Sequence, residues 1–171
     1  RSKGLAIGGK LGDPVYAAAD GQVVYAGSGL RGYGNLVIIK HNETLLTAYA
    51  HNQALLVRED QVVRRGQKIA DMGSSDTDRV KLHFEVRRQG KLLQLNPTAL
   101  KILQALMEAS PAVVTRQELE TRVWGEELPD SDSLRVHIHG LRAMVDKPYP
   151  VPLIQTRHGI GYRIAVPDAS T

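Results

Sequence analysis

The apolar residues of this chain recur at two different spacings, and the switch between them near Asn96 dictates two kinds of architecture in series. Before the switch, runs such as DPVYAAADGQVVYAG, GNLVIIKHN, LLTAYAHN and QVVRRGQKIADMGSS are strand-like and punctuated by Gly, Asp and Asn. After it, Leu100, Leu103, Leu106 and Met107 recur at helical spacing behind Asn96-Pro97-Thr98, where Asn96 or Thr98 serves as N-cap. A second helix is predicted over Arg116–Trp124, behind Thr115 and ended by Gly125. A third is predicted from about Ser131 or Asp132 to Val145, and PLIQTRHGIGYRIA reads as a closing hairpin bent near Gly159 and Gly161. Strands followed by helices and a hairpin predict two domains.

The switch zone, KLHFEVRRQGKLLQL, has its own signature. Leu82, Phe84 and Val86 alternate with polar residues, Gln89-Gly90 suits a hairpin turn, and Lys91–Leu95 forms the return. This hairpin suits the end of the first domain and the start of the second equally well. We therefore expect residues 1–84 and 96–171 to form the two domains, with 85–95 a junction shared between them. A shared strand leaves a sheet edge to be covered, or to be paired with a second copy as a homodimer.

With 171 residues and 42% hydrophobic composition, the chain can bury a core in each part. It has no cysteine, no run apolar and long enough to span a bilayer, and no signal-peptide pattern at Arg1. Its opening, RSKGLAIGG, reads as trimmed, so a leader is expected to have been lost. Charge is uneven. Residues 1–95 hold 14 Lys and Arg against 9 Asp and Glu, whereas residues 96–171 hold 8 against 9. Nucleic-acid binding by the second part thus requires a locally basic face.

The stretches SKGLAIGGKLGDPVYAAADGQVVYAGSG, GYGNLVIIKH, LLTAYAHNQALLV, GQKIADMGSS and KLHFEVRRQGK together resemble the LytM-type (lysostaphin-like) zinc endopeptidase family over residues 1–95. The likeness is to its degenerate members that activate cell-wall amidases in bacterial division. Active members hold zinc with two His and one Asp, leave a position for the attacking water, and use two more His in proton transfer. The resemblance places the first ligand pair on Ser2 and Ala6, which lack the required donors. Tyr49-Ala50-His51 keeps its histidine, and Lys81-Leu82-His83 keeps the second histidine of a His-x-His strand, a family zinc ligand, but not the first. One ligand of three remains, so neither zinc hydrolysis nor any cofactor is expected. The resemblance implies instead a groove edged by Arg31, Tyr33, Tyr49, His51 and His83 that contacts an amidase. Against this stands the reading of His51 and His83 as hydrogen-bonded structural residues, and of Tyr33 as a packing aromatic between two glycines. A biotinyl- or lipoyl-carrier sandwich has a similar strand pattern, but Lys40 and Lys68 sit in the wrong context for the modified lysine.

EVRRQGKLLQLNPTALKILQALMEASPAVVTRQELETRVWG, DSDSLRVHIHGLRAMVD and PLIQTRHGIGYRI resemble the DNA-binding effector domain of OmpR/PhoB-type response regulators over residues 85–164. The implied fold is α+β: a β-platform, three helices and a wing. On a wheel of roughly 100° per residue, Ile138, Leu141 and Val145 fall within about 40° of Leu134, leaving Arg135, His139 and Arg142 facing away. These, with Ser133 on the same helix and Thr156, Arg157 and His158 on the wing, are the candidate contacts to duplex DNA. His137 flanks the buried stripe and is expected to pack, and Arg163 is a candidate structural partner at the wing base.

The two resemblances together describe a mixed fold: an all-β LytM-like domain followed by an α+β winged helix-turn-helix domain, in a chain expected to be a recombined chimera or, as the alternative, a natural gene fusion. The main expectation is a catalytically inactive first domain with DNA binding in the second; the alternative is an amidase-activator-like interaction module without DNA binding. One family works in the envelope, with a periplasmic parent for residues 1–95, and the other on cytoplasmic DNA.

Overall fold

The computed structural model describes residues 4–127, 129–130 and 132–164. It divides into two compact units, Arg1–Leu93 and Gln94–Thr171. No helix among the described residues is long and apolar enough to cross a membrane.

The first unit is built on antiparallel strands. Along the main path, β1 (Leu5–Gly8), β8 (Lys81–Arg88), β5 (Leu45–Leu55), β4 (Asn35–Lys40), β3 (Gly21–Gly27) and β6 (Val62–Val63) lie side by side in that order. Two more strands, β2 (Pro14–Tyr16) and β7 (Lys68–Met72), pair with each other, and β7 joins the far end of β5. Val23, Val37, Ile39, Leu45 and Tyr49 point to one buried side, as a period of two requires.

A directed chain of hydrogen bonds runs through that buried side. The Ala18 N–H donates to the Tyr49 hydroxyl (3.0 Å), which lies 2.7 Å from Thr47 Oγ1. Thr47 Oγ1 lies 2.6 Å from His41 Nε2, while His41 Nδ1 lies 2.7 Å from the Asp20 carbonyl. A carbonyl only accepts, so Nδ1 carries the imidazole proton and Nε2 accepts from Thr47. Thr47 then accepts from Tyr49. Burial lowers the His41 pKa against the upward pull of the Asp20 carbonyl and carboxylate, and raises that of Tyr49 to about 12.

The expected junction hairpin belongs to the first unit. Following β8, Gln89 (φ 50°) and Gly90 (φ 81°) make a turn with both central residues left-handed, which matches the strand twist. The return strand β9 (Lys91–Leu92) pairs Arg88 with Lys91 and Arg87 with Leu92, and the Leu93 N–H donates to the Val86 carbonyl. Eight residues of β8 are bonded to β5 and β1, and no strand of the second unit pairs with them among the described residues.

In the second unit, α1 (Pro97–Ala109) starts at Asn96, whose side chain accepts from the Ala99 N–H at 2.8 Å. After β10 (Val114–Thr115), α2 (Arg116–Trp124) opens with a capping box. The Glu118 N–H donates to Thr115 Oγ1 and the Thr115 N–H to the Glu118 carboxylate. These bonds to Thr115 hold the Glu118 carboxyl below its ordinary pKa. α3 (Ser133–Val145) buries Leu134, Ile138, Leu141 and Val145, the stripe expected from their spacing. A three-stranded sheet, β10–β12–β11, closes the unit with the hairpin of β11 (Ile154–Arg157) and β12 (Gly161–Ile164).

Replacing Tyr49 by Phe strands the Ala18 donor and should destabilise the first unit by roughly 1–3 kcal/mol, seen as weaker hydrogen-exchange protection of β5 amides. A histidine with a lowered folded pKa contributes stability fully above the unfolded value of 6.5, lost as pH falls through the folded value. That protection should therefore decline as the pH drops below 6.5, and His41→Gln should flatten the decline. In the second unit, Thr115→Ala should cost about 1 kcal/mol in α2 stability by the same measurement.

Candidate functional site

The exposed face of the β8–β5–β4 sheet forms the floor of a cleft. A period of two along β8 aims His83, Glu85 and Arg87 to this face, and pairing places Ala50, Ala48 and Leu46 of β5 opposite them. His51 comes next in β5 and by strict alternation would point to the buried side. Its φ of 68° and the irregular register beyond it turn the imidazole back into the cleft. The conformation is held by its N–H donating to the Tyr33 carbonyl and its Nδ1 donating to the Ser75 carbonyl, both at 2.8 Å. The loop carrying Arg31 and Tyr33 forms one wall. In that loop Gly34 has φ 60°, and a Cβ there would collide with Ser75. The cleft measures about 650 Å³.

Glu85 organises the cleft. Its side chain is 4% exposed, and Oε2 accepts from His83 Nε2 at 2.8 Å and from the Tyr33 hydroxyl at 3.2 Å, while Oε1 accepts from Arg87 Nε at 2.9 Å. Burial alone would push its carboxyl up, but the hydrogen bonds and charges of His83 and Arg87 outweigh that and leave it lowered. The Arg87 guanidinium also reaches the Gly90 carbonyl at 2.9 Å, joining the hairpin turn to the cleft. The His51 and His83 rings stand 6.0 Å apart.

Four of the expected groove residues, Arg31, Tyr33, His51 and His83, thus meet in one cleft. Tyr49 does not. It is 1% exposed and faces the opposite side of β5, where it serves the hydrogen-bond chain to Ala18. Lys81, Glu85 and Arg87 line the cleft but were not among the expected residues, although the period of two starting from His83 signals all three. Lys40 and Lys68, the carrier candidates, form ion pairs with Glu43 and Asp71.

The donor set does not fit the family's zinc. Ser2 lies outside the described residues. Ala6 is the cross-strand neighbour of His83, so a methyl group stands beside that histidine where a carboxylate is required. Lys81 offers an ammonium with no lone pair at neutral pH, and the Nε2 of His83 is taken up by Glu85. Among the described residues no group of three His, Cys, Asp or Glu can hold a metal ion.

In the second unit, α3 exposes Arg135 and His139, with Ser133 half-buried in its first turn. Arg157 ends β11 and His158 opens the turn, both exposed. Arg142 departs from the wheel expectation. Instead of facing away it is half-buried, donating to the Ile154 carbonyl (3.2 Å) and to Thr156 Oγ1 (2.6 Å), with its guanidinium 5.7 Å from the Tyr162 ring centre. The long side chain folds back over the hairpin, so Arg142 and Thr156 bind each other. As expected, His137 packs, against the Trp124 ring at 5.7 Å, and Arg163 holds Gln155 at the hairpin base.

The family model for peptidase family M23 matches residues 1–97, and that for "Transcriptional regulatory protein, C terminal" matches residues 90–164. The chain is 71% identical over 90 residues to the Lipoprotein NlpD/LppB homolog of Pseudomonas aeruginosa, covering 53% of this chain and 30% of that protein. It is 58% identical over 96 residues to the Murein hydrolase activator NlpD of Escherichia coli, covering 56% of this chain and 25% of that one. It therefore spans less than a third of the length of either. Among solved structures, a zinc containing peptidase from Vibrio cholerae matches with a TM-score of 0.50 at 35% identity, covering 53% of this chain and 28% of that one. The catalytic domain of the M23 protein EnpA from Enterococcus faecalis gives 0.51 at 27%, with 54% and 74% covered. Alanine stands at position 6 and lysine at position 81, where the resemblance to active members places a zinc ligand and a catalytic histidine. The match to the family model covers more than half of the sequence, and the chain belongs to peptidase family M23.

Proposed function

We propose that the first unit is a noncatalytic interaction module that engages a cell-wall amidase through the cleft of His51, His83 and Glu85. The observation that carries this is the fate of the ligand positions. Of the three zinc donors of the family only His83 is present, yet the cleft remains open, and His51 is held in a left-handed backbone conformation at its wall. Maintaining such a conformation without catalysis fits a site that binds. Relatives named murein hydrolase activators support the same reading. The family match over residues 90–164 overlaps the other by a few residues, which supports a chimeric origin for the chain.

A second reading rests on a different observation. The exposed Arg135 and His139 of α3, with Arg157 and His158 at the hairpin tip, are the residues a winged helix presents to a major groove and to phosphates. In this reading the second unit, from Gln94, binds duplex DNA mainly through its backbone, and Arg142 positions the hairpin rather than touching a base.

Both readings are open to direct measurement on the full chain. Added to a purified cell-wall amidase, it should raise the release of dye-labelled murein while releasing none alone, and Tyr33→Ala should reduce that gain severalfold. Equal activity of the variant and the parent would remove the cleft from the reading. Anisotropy of a labelled duplex should fall as salt rises, and the double change Arg135→Ala, His139→Ala should flatten that dependence. A slope near zero for the parent chain would end the DNA reading.

A further inference from the structure

The cleft does not end at its polar wall. Beside it, on the same face of the sheet, lies an apolar hollow of about 230 Å³, and the two share Tyr33, Glu85 and Arg87. Its floor is Ala48, its walls are Leu36, Ile38 and Leu46, and Leu30 overhangs it from the loop before Tyr33. The hollow exists because β5 places alanine at position 48 between larger neighbours. Leu30 is 45% exposed, so apolar surface at the rim is left facing water.

The polar side has an unbalanced charge. Arg87 is neutralised by Glu85, and Asp76 keeps its charge while accepting from the Gly32 N–H, so Arg31 and Lys81 against Asp76 leave the lining one positive charge in excess. Neither Arg31 nor Lys81 has an acidic partner among the described residues, and both line the cleft. A cationic rim next to a dry hollow selects for two features carried close together on one ligand.

We propose that the cleft and hollow form a two-part recognition site for a segment of the partner protein that carries a carboxylate side chain beside a single apolar anchor. The carboxylate lies against Arg31 and Lys81, and the anchor fills the hollow over Ala48. This rests on the amidase-binding reading and adds to it the chemistry by which the partner is chosen. Specificity comes from the pairing of the features: an acidic segment without the anchor leaves the hollow open, and an apolar one leaves the two cations unmatched.

The test measures binding of a purified cell-wall amidase of Pseudomonas aeruginosa to the immobilised full chain. Ala48→Leu fills the hollow from below, and Leu30→Ser removes its overhang at an exposed position that does not endanger folding. Lys81→Glu reverses the rim charge, and Val62→Ser, on the edge strand, is the control. The three cleft variants should each weaken binding by about tenfold or more, with the control unchanged. Raising salt should weaken the parent chain but have little effect on Lys81→Glu. If the parent chain binds and Tyr33→Ala weakens it, while Leu30→Ser and Ala48→Leu bind as the parent does, the hollow is not used and the two-part site is wrong although the amidase reading stands. If the parent chain binds no amidase, both fall. Competition by a murein stem tetrapeptide that Ala48→Leu leaves untouched would assign the cleft to the cell wall instead, and would likewise overturn the proposal.

Discussion

The pairing of β5 with β8 is the constraint on which the first unit depends. Six registered pairs, from Leu45 opposite Arg88 to Ala50 opposite His83, fix which side chains meet on each face. A slip of one residue would exchange the faces, sending Tyr49 and Thr47 into the cleft and Ala48 and Ala50 into the core. The buried chain from Ala18 to Asp20 through Tyr49, Thr47 and His41 would be broken in the same movement. One register therefore defines both the core and the floor of the site.

Within that frame Glu85 works locally in a role a metal ion fills in active relatives, that of a charge around which side chains converge. It draws His83, Tyr33 and Arg87 together, but with the opposite sign and with no open coordination position. A cation gathers lone pairs and polarises whatever else it holds. A carboxylate gathers protons, and once its acceptors are satisfied it has nothing further to activate. The side chains of the cleft are thus held in place by hydrogen bonds to one carboxylate.

Much of this was legible in residue order. Asn96, Thr115 and Gly125 mark helix ends by side-chain and backbone chemistry that acts over three or four residues, and the structure uses each of them. The buried stripe of α3 follows from spacing alone. Tyr49 was misplaced because its neighbour His51 does reach the cleft. Two residues apart on a regular strand share a face, and only the left-handed turn of the backbone at His51 separates them. Arg142 was misplaced for a different reason. A wheel locates its Cβ, but its guanidinium sits several bonds away and follows the acceptors offered by Ile154 and Thr156, which are distant in sequence from it. Glu85 was readable from the alternation beginning at His83. What the sequence alone did not show is that its carboxylate is where the wall, the floor and the hairpin meet.

The closing hairpin has a consequence for how such a chain can arise. Because β9 completes its pairing at Leu92, and the first helix begins with a cap at Asn96, residues 94–96 belong to neither sheet. A genetic crossover placed there joins two sequences without dividing any strand. A crossover about ten positions earlier, between Phe84 and Glu85, would cut through β8 and part His83 from its carboxylate, so that each parent would have to supply half of a single hydrogen-bonded unit. The turn at Gln89-Gly90 would keep the whole of that unit on one side of a junction at residues 94–96, so that an exchange there would leave the cleft intact.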